Sequence, residues 1–184
     1  MEILELDEKL KIWPNIKFFY PYSELTNKPK WRVAILTCMD YRIITGIFGI
    51  KDPGEAIIIR NAGALLTFDS LRSLLIAIYD LGVKLIVVVG HMDCGGEMTK
   101  VQMTRLLTKV SKKTGMSIDQ VLDYFSSSDP SDVFLGFNDV EVQIYQTVKT
   151  IQEHPLIFPD EVEVLGYIYD ITKGRFSKVQ QRER

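Results

Sequence analysis

The run Lys84-Leu-Ile-Val-Val-Val89 constrains this chain more than any other feature. It is apolar and largely β-branched on both faces, so it cannot turn one side to water. Such a run belongs in the middle of a parallel sheet covered on both sides. Arg32-Val-Ala-Ile-Leu-Thr37 and Ala56-Ile-Ile-Ile-Arg60 read as two more buried strands. Between the second and third runs the apolar residues Leu71, Leu74, Leu75 and Ile78 predict a helix through Leu81. Asp69 or Ser70 would cap that helix and Gly82 would close it. Strands alternating with helices indicate an α/β fold: a single domain with a mainly parallel central β-sheet flanked by helices.

The rest of the chain continues the pattern. Val101, Leu106, Leu107 and Val110 predict a helix from Gly96 to Gly115, and a shorter one follows from Ser117 to about Phe125. Residues 126–132 are dense in breakers and read as a loop. Val140, Ile144, Val148 and Ile151 mark another amphipathic helix, and residues 162–171 a strand. Lys173-Gly174 then turns the chain into a short C-terminal edge strand. At 184 residues the chain fits one domain, 1–184. Residues 1–27 read as an apolar N-terminal helical arm, expected either to pack on its own domain or to clasp a second subunit.

Both cysteines of the chain stand in short motifs that directly follow strand runs: Cys38 in Thr37-Cys-Met-Asp-Tyr-Arg42, and Cys94 in His91-Met-Asp-Cys-Gly95. In a doubly wound sheet the first strand usually lies beside the third, and ligands bind beyond the carboxyl ends of the strands at that switch point. Both loops should therefore reach one crevice. Cys38, His91 and Cys94, with the carboxylate of Asp40 nearby, are the ligand types that a tetrahedral zinc ion accepts. A structural zinc would take four Cys or His ligands. His154, in a Glu-His-Pro segment late in the chain, reads as a loop or surface residue, so the pattern is the three-ligand catalytic one. A redox dithiol would place its cysteines in a local Cys-x-x-Cys pair, which is absent.

Two thiolates and a neutral imidazole cancel most of the charge of zinc. Bound water would then be less acidified than on a three-histidine site, where its pKa falls to ~7. Further polarisation has to come from neighbours. Arg42 can hold Asp40 in a bidentate pair, and Asp40 can accept a hydrogen bond from the zinc-bound water. The alternative for Asp40 and Arg42 is a plain surface ion pair.

Composition narrows the partners. A net charge of −2 gives no basis for a nucleic-acid surface, apart from a small basic tail over the last residues. No apolar stretch approaches membrane-spanning length, and the acidic start is unlike a leader peptide. The expectation is a cytoplasmic protein acting on a small-molecule substrate, with no nucleic acid and no membrane.

Cys38-Met-Asp-Tyr-Arg42, Arg60-Asn-Ala-Gly63 and His91-Met-Asp-Cys-Gly95, in this order and spacing, resemble the β-class carbonic anhydrases. The stretch from His154 and the strand near Val164 resemble the closing segment of the compact, small-subunit branch. The resemblance implies Zn2+ bound by Cys38, His91 and Cys94, with water or Asp40 in fourth place. It implies an Asp40–Arg42 catalytic dyad and reversible hydration of carbon dioxide to bicarbonate by attack of zinc-bound hydroxide. It also implies a homodimer or higher homo-oligomer built on the N-terminal arm, and a pocket lined by the backbone amides around Gly63 and Gly95. This chain departs from the family pattern at Ala64, Met92 and Gly96-Glu97. Hydrolysis of carbonyl sulfide or carbon disulfide on the same scaffold is the main alternative, since the same metal motifs serve both. A non-catalytic zinc-stabilised or bicarbonate-sensing module is the second. A nucleotide-binding domain would need a glycine-rich phosphate loop, and Asn61-Ala-Gly-Ala has the wrong spacing for one.

Overall fold

Residues 26–158 and 160–180 are described by a computed structural model. Their strands are β1 (Val33–Cys38), β2 (Ile57–Asn61), β3 (Leu85–His91), β4 (Glu163–Asp170) and β5 (Arg175–Lys178), joined in one sheet of order β2-β1-β3-β4-β5. The first four are parallel; β5 pairs antiparallel with β4 at the edge. The apolar run at 84–89 forms the central strand, as its two-sided burial demands. The first strand lies between the second and third, which is the order that brings the two cysteine loops together.

The helices are α1 (Phe68–Tyr79), α2 (Lys100–Thr114), α3 (Ile118–Tyr124), α4 (Pro130–Phe134) and α5 (Val140–Gln152). Leu74 and Ile78 of α1 share one continuous core with Ile144 and Ile151 of α5 and with Leu36, Ile86, Val88 and Val164 of the sheet. Burying each such side chain stabilises the fold by about 2 kcal/mol. Helix α5 sits directly on the sheet because β3 and β4 carry glycines beneath it. A Cβ at Gly90 would come within 2.6 Å of Ile144, and one at Gly166 within 2.9 Å of Val148. A second, smaller cluster joins Leu107, Val121 and Leu122 across α2 and α3.

Two local expectations change. Helix α1 is capped by Thr67 rather than Asp69 or Ser70: the Thr67 hydroxyl accepts from the Ser70 amide and the Ser70 hydroxyl accepts from the Thr67 amide. This reciprocal pair satisfies two amides that a cap one turn later would leave bare. Residues 126–132 are not all loop, because α4 begins at Pro130. Asp129 caps it, accepting from the Ser131 amide, and proline suits the first helical position. The residues that look like breakers are a helix start. The arm at 1–27 lies outside the described residues except for its last two positions, and so does its expected role at a dimer interface. Among the described residues no helix is long and apolar enough to cross a membrane.

Candidate metal centre

Strands β1 and β3 run side by side with Thr37 opposite Val89, so both end at the same edge of the sheet. Cys38 is the last residue of β1 and His91 the last of β3. Cys94 follows on the loop beyond β3. Cys38, His91 and Cys94 are all buried, and each offers a ligand atom within 4.8 Å of the other two. The two sulfurs, 56 positions apart in sequence, lie 3.8 Å from one another and are not bonded.

The imidazole is the test of whether a cation fits. His91 Nδ1 donates to the Met92 carbonyl at 2.9 Å, which leaves Nε2 with its lone pair free. Nε2 is fully buried, has no hydrogen-bond partner and faces the sulfurs. Leaving such an atom unpaired costs about 1–3 kcal/mol. One imidazole nitrogen and two sulfurs converging on a common point are a zinc-type donor set, and they account for the orphaned atom.

The sulfurs shape each other's ionisation. The hydrogen bond from Cys94, aided by His91 and by the backbone amides of Gly63 and Asp40, draws the Cys38 thiol well down against the effect of burial. The hydrogen bond to Cys38, together with burial, pushes Cys94 up. Two thiolates this close repel, so ionising one makes ionising the other harder. Burial opposes charge on His91 most strongly, but Cys38, the Met92 carbonyl and Asp40 together outweigh it and raise that pKa.

Asp40 and Arg42 complete the site. Arg42 donates from Nε to Asp40 Oδ1 at 2.9 Å and from Nη2 to Oδ2 at 2.7 Å, a bidentate pair. The Arg42 guanidinium holds the Asp40 carboxyl far below the usual range, so it stays ionised. Asp40 Oδ2 lies 3.8 Å from His91 Nε2, directed at the cluster while remaining outside the three-ligand set. The expected ion pair is thus present and turned inward.

Three supporting residues were not legible as such in the sequence. Arg60, at the end of β2, donates from Nε to the Cys38 carbonyl at 3.0 Å and from Nη2 to the Asp40 carbonyl at 2.7 Å. It thereby pins the backbone that carries both side chains. Its place in Arg60-Asn-Ala-Gly63 was a signal, but its targets were not. Asp93 contacts the far side of Arg42. Phe137, from the stretch 101–140 that carries no motif, packs with Cys38, Leu65 and Cys94. No local pattern marks it.

The glycines expected at the pocket divide. Gly63 has φ +84° and lies under Phe137, where a Cβ would be 2.8 Å from Cε1. The adjacent Ala64 takes φ 56° and is fully buried. Asn61 holds this turn, its side chain accepting from the Leu65 amide at 2.9 Å and donating to the Leu65 carbonyl at 2.8 Å. Around Gly95 a Cβ would meet nothing within 4 Å, so the backbone there is open. His154 lies in the connection between α5 and β4, with Nδ1 accepting from the Leu156 amide, and takes no part in the cluster.

A family model described as carbonic anhydrase matches residues 33–176. A protein from Acidianus sp. (strain A1-3) named carbon disulfide hydrolase is 34% identical over 82% of this chain and 78% of its own length. Beta-carbonic anhydrase 1 of Mycobacterium tuberculosis (strain H37Rv) is 28% identical over 82% of this chain and 83% of its own. The crystal structure of carbonic anhydrase from Streptococcus mutans superposes with a TM-score of 0.73 at 32% identity, covering 98% of this chain and 99% of that one. With its strand order, its Cys-His-Cys cluster and these matches spanning most of its length, the chain belongs to the β-carbonic anhydrase family.

Proposed function

We propose that this protein catalyses the reversible hydration of carbon dioxide to bicarbonate, with Cys38, His91 and Cys94 holding a zinc ion and Asp40 and Arg42 serving the reaction beside it. The observation that supports this most is the bare, buried Nε2 of His91 within 4.8 Å of two sulfurs, with an ionised carboxylate 3.8 Å away. Zinc held there supplies Lewis acidity that makes water a nucleophile near neutral pH. Asp40, kept ionised by Arg42, accepts a hydrogen bond from the attacking water, and this aims a lone pair at the substrate carbon. The Arg60 contacts keep the Asp40 backbone from drifting. Gly63 and Gly95 are assigned to the pocket wall.

A second reading rests on a specific observation: the Acidianus relative is a carbon disulfide hydrolase by name. Carbon disulfide and carbonyl sulfide are linear electrophiles like carbon dioxide, and the same groups would direct water at their carbon, releasing hydrogen sulfide. A purely structural or sensing site has no use for the inward-facing Asp40–Arg42 pair. Zinc-loaded protein assayed on all three gases separates the readings. Bicarbonate formation supports the first; hydrogen sulfide release with negligible bicarbonate overturns it in favour of the second.

The proposed assembly is a homodimer or higher homo-oligomer. Its support is the exposure of Met39, Tyr41 and Ile44 at 67%, 88% and 62% on the loop beside Cys38, an apolar surface that favours cover. Cytoplasmic placement fits two reduced cysteines.

A further inference from the structure

Asp93 sits between His91 and Cys94 in the chain, yet its side chain turns away from the cluster and is 81% exposed. Its backbone is left-handed, with φ 55°, a conformation that residues with a Cβ rarely adopt. That turn presents two acceptors to one partner. Arg42 Nη1 donates to Asp93 Oδ2 at 2.8 Å, and Arg42 Nη2 donates to the Asp93 carbonyl at 2.8 Å. Arg42 already gives Nε and its other Nη2 hydrogen to Asp40. Its guanidinium plane is therefore held on both edges: by the loop after β1 on one side and by the loop after β3 on the other.

We propose that Asp93 is a positioning residue, locking Arg42 so that Asp40 stays aimed at the cluster. A lone exposed ion pair would do little of this, because long side chains at a surface remain mobile. Two acceptors fixed on one strained residue act differently, since a planar guanidinium bound at both edges cannot rotate about its terminal bonds. Arg42 becomes a brace between the loop that follows Cys38 and the loop that carries Cys94. The sequence offers Asp93 only as one letter of the His91-to-Gly95 motif, and the metal-ligand reading leaves it idle.

This inference rests on the function proposed above, and its test separates the two. Asp93→Gly removes the carboxylate while suiting the left-handed backbone, and Asp93→Asn keeps an oxygen acceptor in a residue that tolerates that conformation. Both are compared with the wild type as full-length, zinc-loaded protein. Four quantities are read: kcat and KM on whichever of the three gases the wild type turns over, zinc content, and water exchange of the Arg42 Nε–H by NMR. In Asp93→Gly, kcat should fall ~10-fold with KM nearly unchanged and zinc retained, while Nε–H exchange rises ~10-fold. Asp93→Asn should restore most of both. Wild-type kcat and exchange in Asp93→Gly would overturn the proposal, and so would a loss of turnover that merely tracks a loss of zinc. If the wild type processes none of the gases, the functional reading fails, and the exchange rates alone decide whether Asp93 braces Arg42.

Discussion

Replacing Asp40 by Asn is the sharpest probe of the site. Asp40 accepts from the Arg42 backbone amide at 2.9 Å as well as from Nε and Nη2. Asn keeps one oxygen, enough for the amide and for Nε, but it points an NH2 group where Oδ2 accepted from Nη2. One charge-assisted hydrogen bond is lost, worth about 1.5–3 kcal/mol. Arg42 keeps Asp93 as a partner, so the net destabilisation should stay near the lower end. With an m-value of ~2 kcal/mol/M, that moves the urea midpoint down by about 1 M. The effect on turnover should be far larger, because the group that aligns the water is gone: kcat should drop ~10²–10⁴-fold. Zinc content should stay at the wild-type level, since Cys38, His91 and Cys94 are untouched. The assay is stopped-flow hydration of carbon dioxide on protein whose zinc is measured in the same preparation. Retained turnover refutes the orienting role of Asp40. Loss of zinc together with turnover shows instead that Asp40 is needed to hold the metal.

Other consequences can be measured directly. Cys94→Ser should cost most of the bound zinc after dialysis against a chelator and lower turnover by orders of magnitude, with metal analysis and the hydration assay as the checks; full zinc retention refutes the ligand assignment. Gly63→Ala forces a Cβ to 2.8 Å from Phe137 at φ +84°, so stability should fall by ~2–4 kcal/mol in urea, and Phe137→Leu in the same chain should recover part of it. The Asp40 carboxyl is held below its usual range by Arg42, so its contribution to stability is complete above the unfolded-state pKa of ~4 and is lost as pH falls through the folded value. The gap in urea midpoint between wild type and Asp40→Asn should therefore hold from neutral pH to about pH 4 and shrink on further acidification; a gap that stays constant below about pH 4 counts against the paired carboxylate.

The elements whose periodicity is strong were legible, and those set by a single side-chain contact were not. Thr67 caps α1 through a reciprocal hydroxyl exchange with Ser70, and either neighbour looked equally suitable in the chain. Asp129-Pro130 reads as a break and is a helix start, because a proline ends a helix or opens one depending on what precedes it.

What the sequence by itself determined is the sheet and the candidate ligand set. A β-branched run with no polar face has to be central, and cysteine motifs that follow two neighbouring parallel strands have to emerge at one edge of the sheet. Only the tertiary structure decided what holds those ligands in place. Arg60 reaches back from β2 to two carbonyls, Asp93 grips Arg42 across two loops, and Phe137 closes over Gly63 from a distant part of the chain. Hydrophobic periodicity is written locally and repeats, so it can be read along a strand. A hydrogen bond between loops depends on where three separate strand ends come to lie, and that position exists only once the sheet has formed.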